Sequence, residues 1–434
     1  MSQTIGIDFG TTNTVVATGS GGESTLVSFA QDTGSIIPFR SALSFYRPWD
    51  DPKGRVVEAG PWAIEAYVDE PVETRFIQSF KSYAASPLFS ETRILERRYL
   101  FEDLLSAFLL QMRGHAGEAL RDLPTKLVVG RPVSFAGLQP DPLLALRRYE
   151  TAFARLGFTD IRYAYEPVAA AFFFARKLTE DATVMVADFG GGTSDFSIVR
   201  FERTGGKVAS KALANAGVGV AGDAFDYRII DNLVSPALGK GTSYKAFDNI
   251  LPIPNRYYSA FARWEQLALL RASRDMRDIR ALVRTALDPD RIVRLVEVLD
   301  KNYGYRLYQA VTSLKEALSG AAEARFSFVA GTVAIEKDVK RVDFDRWIAP
   351  ELAAIEGAVD MALERAGLTA GQVDRVFLTG GSSFVPAVRA IFERRFGDAR
   401  LESGAELTSI ASGLALMGAE PDLDAWTDRA PLPA

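Results

Sequence analysis

One stretch in the middle of the chain, Val184–Val199, constrains the fold more than any other. It reads VMVADFGGGTSDFSIV, in which an apolar run ends at Asp188, three glycines follow, and an alternating run leads away from Asp195. This pattern predicts a β-hairpin. Glycines let the backbone approach a ligand closely, and successive N–H groups that turn inward form an anion-binding concavity. Carboxylates beside such a concavity repel a phosphate unless a cation lies between them, so the stretch indicates Mg²⁺ held through its waters.

A weaker copy of this stretch begins the chain at Ile5–Ala17, which reads IGIDFGTTNTVVA. Both copies have an apolar strand, an Asp-Phe-Gly sequence, a small polar turn and a second strand. A single turn of this kind is common and usually only a turn. Two of them, separated by 180 residues between Asp8 and Asp188, predict a duplicated lobe whose halves close on one phosphate chain from opposite sides.

Composition excludes several classes of protein. The 434 residues are enough for about three domain-sized units, and the 48% of hydrophobic residues allows a large core. A net charge of −5 argues against a nucleic-acid-binding surface or a polybasic membrane anchor. Without cysteine there are no disulfides and no thiolate metal sites. The amino terminus shows no signal-peptide pattern, so we expect a soluble, cytoplasmic monomer that binds neither nucleic acid nor membrane.

Two further junctions are candidate parts of a site. Glu166 lies between the predicted strand 161–165 and the helix that begins EPVAAA. It either complements the helix dipole or orients a water molecule. The sequence LTGGSS at 378–383 predicts a strand, a glycine pair and a helix start, which is either an ordinary turn or a place where a ligand meets a helix amino terminus. Helices are also predicted at 142–156, 223–235, 303–319, 343–366 and 407–417.

The sequence GVGVAG at 217–222 matches a dinucleotide fingerprint, but it follows an antiparallel-looking strand rather than opening a βαβ unit. We therefore interpret the match as coincidental. Small residues in the last predicted helix, including Ser412 and Gly413, predict close packing against another helix.

Taken in order, these motifs resemble the nucleotide-binding domain of the heat-shock-protein-70 chaperones (DnaK type), within the superfamily of actin, sugar kinases and MreB. The chain looks most similar to the short YegD-type relatives. The resemblance covers nearly the whole chain and rests on five motifs, which begin at Asp8, Glu166, Asp188, Leu378 and Ile410.

The resemblance implies an α/β protein with the actin-like ATPase fold: two duplicated ribonuclease-H-like lobes, each with a five-stranded mixed sheet, and inserted subdomains. Lobe I would cover 1–182, with an insertion at about 38–115 and a completing helix at about 406–420. Lobe II would cover 183–405, with a helical insertion at about 223–309. Residues 421–434 would form a loose tail.

The resemblance also implies ATP or ADP with Mg²⁺ in the cleft, and it assigns roles by position. Asp8 and Asp188 would organise the Mg²⁺ waters, and Glu166, Thr193 and Asp195 would position the attacking water. The other implied nucleotide contacts are Gly10, Thr11, Thr12, Asn13, Gly190, Gly191, Gly192 and Thr193 for the phosphates, and Gly222, Asp223, Lys315, Ser319, Gly380, Gly381, Ser382 and Phe384 for the adenosine.

Three departures from the family pattern bear on function. The family's cleft lysine falls near Ile64, and Lys81 is the nearest later lysine. Loss of a cation aimed at developing charge commonly costs about 10²–10³ in rate, so we expect slow hydrolysis. Phe384 replaces the arginine that stacks on adenine, and Glu316 replaces its partner. We also expect no peptide-binding domain after the last helix.

The sequence thus predicts a Mg²⁺-dependent ATP-binding protein with slow ATPase activity, a chaperone-like switch that acts on a protein client or co-chaperone. Three alternatives remain open at this stage. They are a filament-forming ATPase like MreB, a small-molecule kinase of the same fold, and a nucleotide sensor that does not hydrolyse ATP.

Overall fold

The structure is a computed structural model that describes residues 3–31, 34–70, 73–135, 139–176, 180–204, 207–262, 266–267, 270–271, 273–402, 407–420 and 423–429. The chain divides into two compact units. Unit 1 comprises Met1–Gly219, Ile355–Ser383 and Ala390–Ala434, and unit 2 comprises Val220–Ala354 and Phe384–Arg389. The sheets of both predicted lobes lie in unit 1, and the lobe boundaries stay a prediction.

Unit 1 holds most of the strands. Up to residue 219 they are β1 (Thr4–Phe9), β2 (Asn13–Ser20), β3 (Glu23–Leu26), β4 (Phe29–Gln31), β5 (Gly34–Ile36), β6 (Phe39–Arg40), β7 (Ala42–Tyr46), β8 (Val56–Ala59), β9 (Arg75–Gln78), β10 (Thr92–Ile94), β11 (Arg97–Tyr99), β12 (Lys126–Arg131), β13 (Asp160–Tyr165), β14 (Ala182–Phe189), β15 (Ser194–Thr204) and β16 (Lys207–Val218). Unit 2 contains β17 (Ser243–Ala246), β18 (Asn249–Pro252), β19 (Glu323–Ala330) and β20 (Val333–Lys340). Unit 1 resumes with β21 (Arg375–Thr379) and β22 (Leu401–Glu402).

The α-helices, in chain order, are α1 (Gly60–Asp69), α2 (Phe101–His115), α3 (Pro142–Ala154), α4 (Glu166–Ala175), α5 (Gly222–Ile229), α6 (Ser235–Ala237), α7 (Arg256–Ser259), α8 (Arg274–Leu282), α9 (Pro289–Asp300), α10 (Gly304–Gly320), α11 (Arg341–Trp347), α12 (Ala349–Ala366), α13 (Pro386–Phe396) and α14 (Ser409–Met417). A π-helical turn, Ile230–Val234, joins α5 to α6. Short 3-10 helices occur at Phe80–Tyr83, Gly117–Leu120, Ala260–Ala262, Ala370–Gln372, Gly381–Phe384, Asp398–Arg400 and Leu423–Ala425.

The two main sheets of unit 1 have the same topology. The first has the order β13-β12-β1-β2-β3, with the short β6 added on β2, and the second has the order β22-β21-β14-β15-β16. The first central strand, β1, pairs parallel with β12 and antiparallel with β2. The second central strand, β14, pairs parallel with β21 and antiparallel with β15. The duplication inferred from the two Asp-Phe-Gly stretches is therefore present in the strand order.

The core explains why the two central strands are so apolar. Every residue of β14 is buried, as expected for a strand covered on both faces. Helices α4 and α14 pack closely against each other. A Cβ added at Gly413 would lie 1.9 Å from the carbonyl oxygen of Ala169, so the close packing predicted from small residues is confirmed.

The region predicted as an insertion at about 38–115 has its own small sheet, β8-β7-β9. Aromatic side chains of this region pack against Phe9 of β1. Phe9 lies 5.4 Å from Phe80 and 5.9 Å from Phe108, measured between ring centroids. The insertion therefore shares a core with the strand that carries Asp8.

Unit 2 contains the helical region predicted at about 223–309 and a β-hairpin, β19-β20. On α8, the buried side chains are Met276, Ile279 and Leu282, spaced by three residues. This is the apolar stripe of an amphipathic helix, whose other side faces solvent.

The loose tail predicted for 421–434 is wrong for its described part, residues 423–429. Asp428 exchanges two backbone hydrogen bonds of 2.8 Å with Tyr163 of β13. The ring of Trp426 meets that of Phe172 edge-on at 4.7 Å, and Leu423 is buried. Backbone pairing with β13 and the packing of Trp426 hold this segment. Its polar composition gave no sign of either contact. Within the described residues, no helix is long and apolar enough to cross a membrane.

Candidate functional site

The two Asp-Phe-Gly stretches place carboxylates at equivalent points of the two sheets. Asp8 lies near the end of β1, and Asp188 occupies the same place on β14, directly opposite Asp195 on β15. Asp188 and Asp195 are 7% and 2% exposed, and Glu166 at the start of α4 is 6% exposed. Buried carboxylates are unusual unless they are paired or bind a cation, so this cluster marks a site.

The two turns beside these carboxylates share one hydrogen-bond geometry. The amide of Gly10 donates to the carbonyl oxygen of Asn13 at 3.0 Å, and the amide of Gly190 donates to that of Thr193 at 2.9 Å. A Cβ at Gly10 would lie 2.3 Å from the Asn13 oxygen, so this turn requires glycine. The predicted phosphate-binding residues thus form two matching tight turns, although the sequence of only one is rich in glycine.

Two residues that the sequence did not single out brace the first turn. The hydroxyl of Ser41 donates to the carbonyl oxygen of Gly10 at 2.7 Å and lies 2.9 Å from the hydroxyl of Thr14. The amide of Ser41 donates to the carbonyl oxygen of Thr12 at 2.9 Å. These bonds fix the carbonyl groups of the turn.

Lys81, not Ile64, supplies the cation of the site. The ammonium Nζ of Lys81 donates to Oε1 of Glu166 at 2.7 Å, and Lys81 is 8% exposed. Ile64 lies within α1, which packs on the small sheet of the insertion. Counting along the sequence missed Lys81, because Lys81 meets Glu166 by a contact between residues 85 positions apart. The expectation of slow hydrolysis therefore loses the missing lysine as its reason.

Burial raises the pKa values of three aspartates in the cluster. Burial, followed by the charge of Glu166, raises the pKa of Asp188 to about 6, although the hydroxyl of Thr379 donates to it at 2.7 Å. Burial, followed by Asp188 and Glu166, raises the pKa of Asp195 to about 8. The pKa of Asp8 is raised well above its usual range by the same two causes, burial and Glu166.

The pKa of Lys81 is also raised, which for an ammonium group favours the charged form. Burial opposes the charge of Lys81, but the nearby Glu166 and Asp8 outweigh burial and raise the pKa of Lys81. Lys81 therefore stays protonated at neutral pH. Tyr149, on α3, is fully buried close to this group, and its hydroxyl has no hydrogen-bond partner among the described residues.

The predicted adenosine loop begins at Gly380, where the backbone conformation and the close packing both require glycine. Gly380 has φ +81°, and a Cβ there would lie 2.0 Å from the carbonyl oxygen of Phe189. Gly381 and Ser382 follow in a 3-10 helix, and Ser382 is buried. The loop is thus seated directly on the strand that carries Asp188.

The other predicted adenosine residues lie in unit 2. Gly222 begins α5, and Asp223 follows in its first turn. Lys315, on α10, forms an ion pair of 2.8 Å with Asp226, and the hydroxyl of Ser319 donates to the carbonyl oxygen of Lys315. Phe384 is 51% exposed. Their roles toward a nucleotide stay predictions.

The carboxylate cluster fits a hydrated divalent cation. Asp8, Glu166, Asp188 and Asp195 face one ammonium group, and Oδ1 of Asp195 is buried without a hydrogen-bond partner in the described part of the chain. Among the described residues, no three ligating side chains converge closely enough to hold a bare ion. Because Mg²⁺ usually keeps several of its waters, these two observations are compatible.

Sequence reasoning found the carboxylates but missed three residues beside them. These are Lys81, which binds Glu166, Thr379, which donates to Asp188, and the buried Tyr149. One signal could have identified Lys81. Between residues 38 and 115 the chain has only two lysines, and Lys81 is the one that follows a phenylalanine in a segment of small residues, whereas Lys53 stands in a polar loop.

Comparison with known proteins agrees with this geometry. A family described as Hsp70 protein matches residues 77–243 and 296–420, well over half of the chain. Chaperone protein DnaK of Thermus thermophilus is 24% identical over 415 aligned residues, in a match that covers 92% of this chain and 57% of DnaK. The chain thus spans little more than half the length of this relative. With its two sheets of equal topology and mixed strand direction, consistent with the actin-like ATPase fold, the chain belongs to the Hsp70 family.

Proposed function

We propose that this chain is a Mg²⁺-dependent ATP-binding protein that hydrolyses ATP slowly and passes its nucleotide state to a protein partner. The observation that carries the proposal is the pair of matching turns, each next to a buried aspartate, with the ion pair of Lys81 and Glu166 beside them. Hydrolysis of a phosphoanhydride depends mainly on positioning and charge neutralisation, and these are the features that the cluster offers.

In this proposal, each group in unit 1 has a distinct task. The backbone amides of 11–13 and 191–193 bind phosphate oxygens, while those of Gly10 and Gly190 close the two turns. Asp8 and Asp188 would hold water ligands of Mg²⁺. When bound, Mg²⁺ neutralises phosphate charge. Asp195 and Glu166 orient the attacking water, and Thr193 holds Asp195 through a hydrogen bond of 3.1 Å from its hydroxyl.

Slow hydrolysis has a physical reason other than a missing lysine. The Lys81 ammonium is bound to Glu166, whose negative charge offsets part of the positive charge that Lys81 can direct at a phosphate. Asp195, with its pKa near 8, is largely protonated at neutral pH and then cannot accept a proton from water. In this proposal, both features lower the rate of hydrolysis.

We infer adenine as the base, together with the adenosine contacts of 380–382 and of unit 2, from family membership. A client or co-chaperone as partner is likewise a proposal, since the chain covers 57% of its DnaK relative. The finer likeness to short YegD-type relatives stays a prediction.

The proposal is tested by single-turnover hydrolysis of radiolabelled ATP with excess protein and Mg²⁺. We expect Asp188→Asn to abolish phosphate release, because it removes a carboxylate that would hold the water ligands of Mg²⁺. Lys81→Ala should lower the rate by about 10²–10³, because it removes a positive charge beside the phosphates. Lys53→Ala is the matched control, since Lys53 is an exposed lysine of the same insertion.

Equal binding of ATP by wild type and Asp188→Asn, with no phosphate released beyond the mutant's level, would show that the protein is a nucleotide sensor and not an ATPase. If Lys53→Ala lowered the rate as much as Lys81→Ala does, the loss would reflect general damage to the insertion.

A further inference from the structure

Lys81 lies on an irregular segment that its own hydrogen bonds hold poorly. Residues 79–89 contain only the 3-10 helix Phe80–Tyr83 and isolated turn bonds, such as that from the amide of Ala84 to the carbonyl oxygen of Lys81. Ser79, just before the helix, has φ +54°, a left-handed conformation that is unfavourable for serine. The position of the Lys81 side chain therefore depends on what holds this segment from outside.

Arg148, on α3, holds the segment. Its Nη1 donates to the carbonyl oxygens of Tyr83 at 3.0 Å, Ala84 at 2.8 Å and Ser86 at 3.2 Å. Its Nη2 donates to the carbonyl oxygen of Phe89 at 2.6 Å. One side chain thus binds four backbone carbonyls within seven residues.

The surroundings of Arg148 favour this arrangement. Its guanidinium group lies 5.7 Å from the ring centroid of the buried Phe101, so the planar group packs against an aromatic ring rather than rotating freely. Within the described residues it forms no ion pair, and its hydrogen bonds go to carbonyl oxygens. The amide of Asp141, at the start of α3, adds a further bond of 2.8 Å to the carbonyl oxygen of Ala85. Only arginine has enough donors in a fixed plane to serve several carbonyls at once.

We propose that Arg148 is a positioning residue for the reaction: it fixes the backbone of 83–89 so that the Lys81 ammonium reaches Glu166 and the phosphate site. This inference rests on the proposed ATPase activity. Displacement of a reacting group by about 1 Å can cost about 10² in rate, so a loosened segment should lower the rate strongly while nucleotide binding persists.

The test compares Arg148→Met with Arg147→Met, its neighbour on α3. The exposed side chain of Arg147 has, among the described residues, only a distant ion pair of 3.9 Å with Asp141. We expect Arg148→Met to lower the single-turnover rate by about 10–10² with little change in the Kd for ADP, and Arg147→Met to have no effect. Arg148→Lys, which keeps the charge but not the planar donors, should recover only part of the rate.

A double-mutant cycle shows whether Arg148 acts through Lys81. In the Lys81→Ala background, Arg148→Met should cause no further loss, because the group that it positions is gone. An equal loss in both backgrounds, or a wild-type rate for Arg148→Met, would overturn the inference.

Hydrogen exchange of the nucleotide-free protein separates this inference from the proposed function. We expect the amides of 80–89 to lose protection in Arg148→Met and to keep it in Arg147→Met. If wild type shows no hydrolysis that depends on Asp188, the proposed function fails, and exchange alone then decides whether Arg148 holds the segment. Unchanged exchange in Arg148→Met would mean that it does not.

Discussion

Asp195 lowers the stability of the folded protein at high pH when no ligand is bound. Its raised pKa means that the folded protein binds a proton at this carboxyl more tightly than the unfolded chain does. Stability from this group is therefore complete below the unfolded pKa of about 4 and is lost as the pH rises through about 8. Asp188 acts in the same direction, with its pKa near 6.

We expect Asp195→Asn to raise the Tm of the nucleotide-free protein in EDTA by on the order of 5 °C at pH 8 and by little at pH 5. The amide has no charge to bury at either pH, whereas the carboxyl is ionised only at the higher pH. Thermal unfolding followed by circular dichroism between pH 5 and 8 measures the difference.

Asp122→Asn serves as the control for this experiment, because Asp122 is exposed and remote from the cluster in the sequence. A Tm gain for Asp195→Asn that is the same at pH 5 and pH 8 would contradict the charge-based explanation.

Among the site residues, the sequence predicts those that belong to a local motif. Asp8, Asp188 and Asp195 are recognisable because each adjoins a turn with a fixed spacing. Lys81, Thr379 and Tyr149 are not, since each reaches the cluster by a tertiary contact with a residue far away in the chain, such as Glu166, which is 85 positions from Lys81. A count of positions through a divergent insertion cannot recover such contacts.

Among the helices, the pair α4 and α14 is the contact most sensitive to added volume. A methyl group at Gly413 would meet the backbone of α4, which cannot yield as a flexible side chain can. Because Glu166 begins α4, a displaced helix would also move a carboxylate of the site.

We therefore expect Gly413→Ala to lower the free energy of unfolding by about 3 kcal/mol, at the upper end of the cost of overpacking. Gly357→Ala is the matched control. Gly357 is exposed in the middle of α12, and a Cβ there would meet nothing within 4 Å. It should stabilise the protein by about 0.5–1 kcal/mol. Urea unfolding of both variants measures the contrast, and equal stabilities would show that α4 and α14 can separate without cost.

The sequence predicts the type of an element, helix or strand, better than it predicts where the element begins and ends. The helix predicted at 343–366 is two helices, α11 and α12, divided at Ile348 just before Pro350 near the start of α12. The helix predicted at 223–235 changes to a π-helical turn at Ile230. Proline at the second position of α12 is a helix-start signal, and the amphipathic pattern that continues across it concealed the break.

The architecture as a whole was the most predictable level. Two short stretches with the same order of strand, turn and strand imply a duplication, and the two sheets of unit 1 repeat one topology. The first sheet departs from the predicted five strands only by the short β6. The division into compact units was less predictable, because it depends on how many contacts each insertion makes with its neighbours.

For the whole molecule, we expect sedimentation velocity to give one species of 47.4 kDa with or without MgATP. The physical reason lies in unit 1, where residues 423–429 cover part of an outer strand of the first sheet. Material that pellets only with ATP would favour the filament-forming alternative instead. The Asp188→Asn variant, with its impaired nucleotide site, controls for pelleting that is unrelated to nucleotide.

That covered strand, β13, has a consequence for how the chain behaves among other proteins. An outermost strand offers free N–H and C=O groups on which a foreign strand can add, and this is a common start of aggregation. Asp428 satisfies both outward groups of Tyr163, and the ring of Trp426, packed on Phe172, keeps the segment in place. The segment that composition alone predicts to be loose thus occupies an edge position at which a foreign strand could otherwise add.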